Sequence, residues 1–524
     1  MDFSSRVSTT LVHEPLIEAY FVAYNASYPV LHEQTFRDES TRRLQTRQGS
    51  TWHIIHYMVL AIGEWVSGFG SDEQSLYYEA ARARVGVELL ESGSLQIVQA
   101  FLLLGNYLQK RDRPNTGYNY IGLAHRVAVG LGLHRETASS VTGSFQQHRR
   151  RQIFWTLYCF ESGFGMTTGR PTLMADVFID AQKPANVDDS LGVDLQEVSY
   201  PTTSSAIAAQ ARLAVIGNEI CSTLVSARAP MDIDQLLAVM EHRIQSWKTS
   251  LPKYFAQTDV PSWFRGPRQV LLWREANIRL LLLLSGLRNQ AGRLDAIRAK
   301  CQDIASETID DIASFCRTHH DIVHTGLSWY ATYFLLQATL AFGVSRVELR
   351  REQSIGPLSE HAGLIWENVY LQACQCLRSL GRQSSAAVRA LQLLERLHKP
   401  LTRTTNSEAD HGISIVNEDR TQTYGDSELH RRNIPTDTRE LGQQSDTGYG
   451  TAFEPSPNAI LATDFVEGSW VNAVDPSLHV FFDHIDDVGS CLDGFQLPSA
   501  EEQDVFAYMT SGFNTMRGPS THGA

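Results

Sequence analysis

Cysteine is scarce and scattered in this chain. The seven residues Cys159, Cys221, Cys301, Cys316, Cys374, Cys376 and Cys491 are odd in number and lie mostly in apolar helical stretches. That excludes a disulfide framework and suits buried thiols in a reducing compartment. The opening Met1 to Arg6 lacks the apolar core and small-residue cleavage site of a secretory signal. The greasiest runs, Leu280 to Leu284 and Tyr330 to Val344, fall short of the roughly 20 residues that span a bilayer, so no membrane partner is expected. Lysine is almost absent, with six in 524 residues. Residues 1–400 hold 38 acids against 39 bases, while residues 401–524 hold 20 acids against 6 arginines. The net charge of −13 therefore belongs to the tail, and the body has no blanket of positive charge to neutralise phosphates unaided.

Strand signals and fixed-period repeats are missing too. What remains is helical periodicity. A first amphipathic helix opens at His13 and ends before Pro29, with Leu16, Ile17, Tyr20 and Phe21 on one side, and residues 37–50 read as a surface connection. Helices are predicted over 51–68, 73–91 and 94–110, the last capped by Ser94 and stopped by Pro114. After an irregular segment over 172–203, they resume over 204–228, 231–250, 267–291, 296–318, 321–345, 359–380 and 385–398, punctuated by Pro230, Pro252, Pro261 and Pro267. The fold class is all-α: a single large irregular helical bundle of about a dozen helices over 1–400, then a mostly disordered acidic tail.

The centre of the pattern is a helical hairpin from Tyr118 to Pro171. Ile121, Ala124, Val127, Ala128 and Leu131 recur on one buried face, and Gly132 supplies a left-handed stop. Ile153, Phe154, Leu157, Tyr158 and Glu161 follow a basic opening, and Gly169 and Pro171 end the second helix. Gly122, Ala124, Arg126, Ala128 and Leu131-Gly132-Leu133-His134-Arg135, followed by Arg150, Arg151, Trp155 and Gly169-Arg170-Pro171, resemble the middle homology region of fungus-specific transcription factors. Tyr20-Phe21, Tyr28 to Glu33, Thr35-Phe36 and Ser94 to Leu104 extend the resemblance over roughly 13–190, with a looser likeness to about 398. It implies an all-helical regulatory domain, a nuclear location, a homo- or hetero-dimer with related factors, and control of a metabolic or secondary-metabolite gene set. In that family the domain usually lies downstream of a zinc cluster that binds DNA.

That cluster needs six thiolates in paired Cys-x2-Cys groups, and the pattern is absent. Cys374 and Cys376 point roughly 200° apart on a helix and would not chelate one ion. The chain is therefore expected to hold no cofactor, with zinc only in a six-cysteine module encoded upstream, and to reach DNA through that module or a partner. The region 401–460 is too polar to repay ordering and reads as a flexible linker. Within 461–524, Phe465, Trp470, Phe481, Phe482, Asp486, Asp487 and Phe495 alternate bulk with carboxylates. That composition marks an activation segment able to recruit transcription machinery, or else a terminal helix that folds back on the bundle.

Other constellations carry less. His320 and His324 are spaced for one helical turn, but no glutamate follows the first, so they do not match a zinc-protease helix. Gly163-Phe164-Gly165 and Gly130-Leu131-Gly132 follow no strand and read as helix ends and close contacts. Arg149, Arg150 and Arg151 serve either as an import or phosphate patch or, in the reading favoured here, as partners for acids of adjacent helices. Arg170 is expected to satisfy carbonyls at the far end of the hairpin. A cavity lined by Trp155, Tyr158, Trp329 or Tyr333 could bind a small-molecule effector. No nucleophile, base or metal set suggests an enzyme. The favoured function is a transcriptional regulator's effector body; a regulatory adaptor without DNA contact is the alternative, and a helical metabolic enzyme is disfavoured.

Overall fold

Ser94 closes the helix expected after it: its hydroxyl accepts the Ile97 amide at 3.3 Å, satisfying one of the orphan donors of the first turn. That helix runs Leu95–Lys110 and buries nearly its whole length. The computed structural model describes residues 13–43, 51–68, 75–137, 143–168, 170–189, 195–225, 233–288, 294–352 and 360–403. Among these residues the regular structure is helical, with one isolated β-bridge between Val187 and Glu197. Helix α1 covers 13–25 and ends in a π-helical turn, Tyr20–Asn25. It is followed by α2 (Glu33–Arg43), α3 (Thr51–Ser67), α4 (Leu76–Arg82), α5 (Glu88–Glu91), α6 (Leu95–Lys110), α7 (Pro114–Gly130) and α8 (Ser144–Thr168). The second half contributes α9 (Ser205–Val225), α10 (Ile233–Thr249), α11 (Ser262–Arg288), α12 (Leu294–Thr318), α13 (Thr325–Glu352), α14 (Glu360–Leu380) and α15 (Ser385–Arg403).

Three apolar cores hold these helices. The first joins α1, α3, α6, α7 and α8 around Tyr20, Met58, Phe101, Ile121 and Phe154. A second, around Trp273, Ile309, Leu335 and Trp366, joins α11 to α15. The third sits among α9, α10 and α11 around Leu213, Met240 and Phe264. Each fully buried aromatic or aliphatic side chain contributes about 1.5–3 kcal/mol relative to exposure. Trp329 and Tyr330 of α13 pack against the first core as well as the second. The described helices up to Thr402 fall within one compact unit.

Several boundaries differ from the sequence reading. The connection expected over 37–50 is helical to Arg43, because Arg37 engages Glu33 one turn back and Glu14 and Glu18 of α1. The helix expected over 73–91 is two pieces, interrupted around Gly86. Pro267 does not begin α11 but lies inside it; the start follows Pro261, whose carbonyl accepts the Phe264 amide at 3.0 Å. His320 and His324 do not share a helical turn, since α12 ends at Thr318 and α13 begins at Thr325. His320 is exposed, and His324 accepts the Leu327 amide at 3.3 Å. Residues 404–460 of the expected linker and the tail with Phe465, Trp470, Phe481, Phe482, Asp486, Asp487 and Phe495 lie outside the described residues, as does Gly169.

Candidate functional site

The hairpin turn is built as its glycine requires. Gly132 has φ +66°, its amide bonds the Val129 carbonyl at 3.0 Å, and the Leu133 amide bonds the Ala128 carbonyl at 2.9 Å. Together these form the paired bonds of a Schellman ending, and Leu133 is buried behind it. Arg150 reaches across from α8 and donates to the Leu131 carbonyl at 2.9 Å. Arg151 donates to Glu136 at 2.5 Å, and the Gln182 amide donates to the same carboxylate at 2.8 Å. Partial burial pushes the Glu136 carboxyl up, but these bonds outweigh it and hold the group below its ordinary range.

Buried Arg149 donates to the carbonyls of Pro29 and Val30 at 3.1 and 2.9 Å, with Asp189 at 3.8 Å. Desolvation lowers its guanidinium to about 10, against the pull of Asp189. The three arginines thus face inward, and carbonyls serve them as much as the expected acids do. Arg170 departs further from expectation. Among the described residues it donates to the Asn115 side chain at 3.1 Å and lies 4.5 Å over the Tyr118 ring, rather than bonding main-chain carbonyls at the far end of the hairpin. Trp155 donates to the Gln182 carbonyl at 2.9 Å and Tyr158 to Asp176 at 2.7 Å, pinning the irregular segment after α8. His134 accepts the Asp180 and Ala181 amides through its carbonyl at 3.2 and 3.1 Å. Gly122 is half-buried, and Arg126 and Pro171 are exposed.

The four aromatics expected around one cavity are separated. Tyr158 lines a pocket of about 10 Å³ with His125 and Glu161, whose side chains meet at 2.6 Å. Trp329 and Tyr333 line another of about 40 Å³, and Trp155 lines neither. A wider cleft of about 300 Å³ includes Asn186, Ser205, Arg212 and Tyr254. Several of its polar groups bond one another, Ser205 to Asn186 at 2.5 Å and Tyr254 to Ser205 at 3.2 Å.

The 40 Å³ cavity is different because its cations are not matched by acids. Tyr28, Asn106, Cys159, Arg274, Asn277, Trp329 and Tyr330 line it, drawn from α6, α8, α11, α13 and the turn after α1. The Tyr28 and Tyr330 hydroxyls meet at 2.6 Å, and Arg274 donates to the Tyr28 oxygen at 3.3 Å. Behind this wall, buried Lys110 donates to Asn106 Oδ1 at 2.7 Å, an oxygen that also accepts the Tyr24 hydroxyl at 2.8 Å. The ammonium lies 5.0 Å from the Tyr330 ring centre and 5.2 Å from that of Trp329. Burial, followed by the Arg274 charge, holds Lys110 well below the ordinary lysine range. Burial likewise raises Tyr24 and Tyr330 well above the ordinary phenol range.

Sequence reasoning did not single out Lys110, Asn106, Arg274 or Asn277. A lysine closing the apolar run of α6, and an arginine inside that of α11, were the available signals. Among the described residues no group of three or more His, Cys, Asp or Glu side chains could hold a metal, and no helix is long and apolar enough to cross a membrane.

Comparison with known proteins bears on the hairpin directly. The profile of the fungal specific transcription factor domain matches residues 17–253. The lactose regulatory protein LAC9 of Kluyveromyces lactis is 28% identical over 385 residues, covering 71% of this chain and 42% of that protein. The thiamine repressible genes regulatory protein thi1 of Schizosaccharomyces pombe is 26% identical over 265 residues, 47% of this chain and 33% of its own length. Activator of stress genes 1 of Saccharomyces cerevisiae is 26% identical over 314 residues, 55% of this chain and 31% of its own. The matches thus span less than half of each of these relatives. No solved structure matches the chain. The glycine-closed turn, the inward arginines and Arg170-Pro171 all fall inside residues 17–253, the segment that is similar to the fungal specific transcription factor domain.

Proposed function

We propose that this chain is the regulatory body of a fungal transcriptional regulator that controls a metabolic gene set. The observation that carries the reading is the match over 17–253, and similarity to proteins named as a lactose regulatory protein and a thiamine repressible genes regulatory protein supports it. DNA contact comes through a zinc-cluster module encoded upstream or through a dimer partner that has one. The protein acts in the nucleus and makes and breaks no bond. The acidic, aromatic composition of 461–524 supports recruitment of transcription machinery by that segment, with 401–460 as its linker. A small-molecule effector supplies the input.

Two measurements test this. Fusing residues 464–510 to a heterologous DNA-binding domain should switch on a reporter, and an inert fusion removes the activation role. Sequencing the transcript 5′ of the Met1 codon should reveal paired Cys-x2-Cys codons in frame. An in-frame stop there instead makes the chain a regulatory adaptor that pairs with related factors.

A further inference from the structure

The polar bonds around the 40 Å³ cavity leave positive charge unmatched. Neither Lys110 nor Arg274 has a carboxylate within ion-pair distance among the described residues, and their hydrogen-bond acceptors are Asn106 and Tyr28. Arg274 Nε is buried with no acceptor, and so is Asn277 Oδ1 without a donor. The terminal carbonyls of α6 carry partial negative charge that favours a cation at Lys110. The ring faces of Tyr28, Trp329 and Tyr330 help in the same sense. Neither source supplies an acceptor for Arg274 Nε, and a partly buried guanidinium without a counter-ion favours an anion beside it.

We propose that this cavity is a binding site for a small oxyanion, the carboxylate or phosphate head of an effector. Arg274 contacts the anion directly. The Asn277 amide, turned to present its N–H groups, is the second donor, since amide orientation follows the bonds available. Lys110 lies behind Asn106 and adds its field without touching the ligand. The volume admits a head group of a few heavy atoms, and the walls of Phe160, Trp329 and Tyr333 suit an apolar carbon attached to it.

The site deepens the reading above by giving the regulator's input a place and a chemistry. Its walls come from the matched domain (Tyr28, Asn106, Cys159) and from α11 and α13 (Arg274, Asn277, Trp329), so an occupant bridges two cores. The binding itself does not depend on the regulatory reading, and the test below reads binding alone.

The experiment uses the purified full chain, titrated with acetate or with inorganic phosphate at ionic strength held constant with chloride, and follows tryptophan fluorescence and thermal midpoint. One oxyanion or both should shift the two signals saturably, with chloride inert, and the preferred anion identifies the head group. Arg274→Met should weaken binding by about tenfold or more, the loss of a charge-assisted contact. Lys110→Met should weaken it less and leave the chain folded, because it takes an unpaired charge out of the interior. If Arg274→Met does not fold, Lys110→Met decides: a weakened response upholds the site. An unresponsive wild-type chain overturns the proposal, as does a Lys110→Met chain that responds like wild type.

Discussion

A β-carbon placed on Gly117 would stand 2.6 Å from the Gly105 carbonyl oxygen, and one placed on Gly105 would stand 2.9 Å from that of Gly117. Helices α6 and α7 therefore cross in backbone contact, ahead of the turn that joins α7 to α8. Because the obstacle is main chain, no rotamer change relieves it. Gly105→Ala and Gly117→Ala should each lower stability by about 1–3 kcal/mol. Gly122 lies on the same helix, where the nearest atom to an added carbon is Leu173 Cδ1 at 3.9 Å. Gly122→Ala should therefore raise stability by about 0.5–1 kcal/mol. Urea midpoints of the three variants check the opposite signs.

This crossing also marks where the sequence stops being legible. The left-handed stop at Gly132 could be read in advance, since a glycine after an apolar helical stripe has a local reason to be there. Gly105 and Gly117 look like ordinary helix-weakening residues until both helices are placed. Burial of Lys110 has the same character: at the end of α6 a lysine is locally unremarkable, and only the arrival of Trp329, Tyr330 and Arg274 from distant helices encloses it. Gly86 breaks the helix predicted over 73–91 in spite of its apolar periodicity, whereas α11 begins at Ser262 and continues through Pro267, the local breaker that set its predicted start.

The signature arginines should divide by what they bond. Arg150 holds the Leu131 carbonyl at the end of α7, a charge-assisted bond in a partly buried setting. Arg150→Met should cost about 1–2 kcal/mol. Arg126 is exposed, and Arg126→Met should change stability by less than about 0.5 kcal/mol. Equal effects in thermal melts would remove the distinction drawn between them.

Acid should destabilise the fold well above the carboxylate range. Burial, then neighbouring His13 and His53, lowers His56 to about 3. His148 is lowered to about 3 by burial and then by Arg149, Arg151 and His32. A histidine depressed in the fold stays neutral there while the unfolded chain takes up a proton below about pH 6.5. Its stabilising effect is therefore complete above that pH and shrinks as pH falls toward 3. At pH 5 the loss is roughly 2 kcal/mol for each residue. His56→Leu, whose ring nitrogen Nδ1 has no partner to lose, should flatten the fall between pH 6.5 and 4. A melt series in which wild type and variant fall in parallel would count against it.

Lys110 should act at the other end of the pH scale. The groups around it are Asn106, the phenols of Tyr24, Tyr28 and Tyr330, the indole of Trp329 and the Arg274 cation, none of them an acid that would favour the ammonium. Its depressed folded value means that the unfolded chain binds the proton more tightly, so stability rises with pH up to the unfolded lysine value of about 10.4. The surrounding phenols are raised by burial and begin to oppose folding only as unfolded tyrosines ionise near pH 10. Between pH 7 and 9.5, in chloride buffer without added carboxylate or phosphate, the wild-type midpoint should climb relative to that of Lys110→Met. Adding the oxyanion that fills the cavity should reduce that climb, since an anion beside Arg274 lets Lys110 keep its proton.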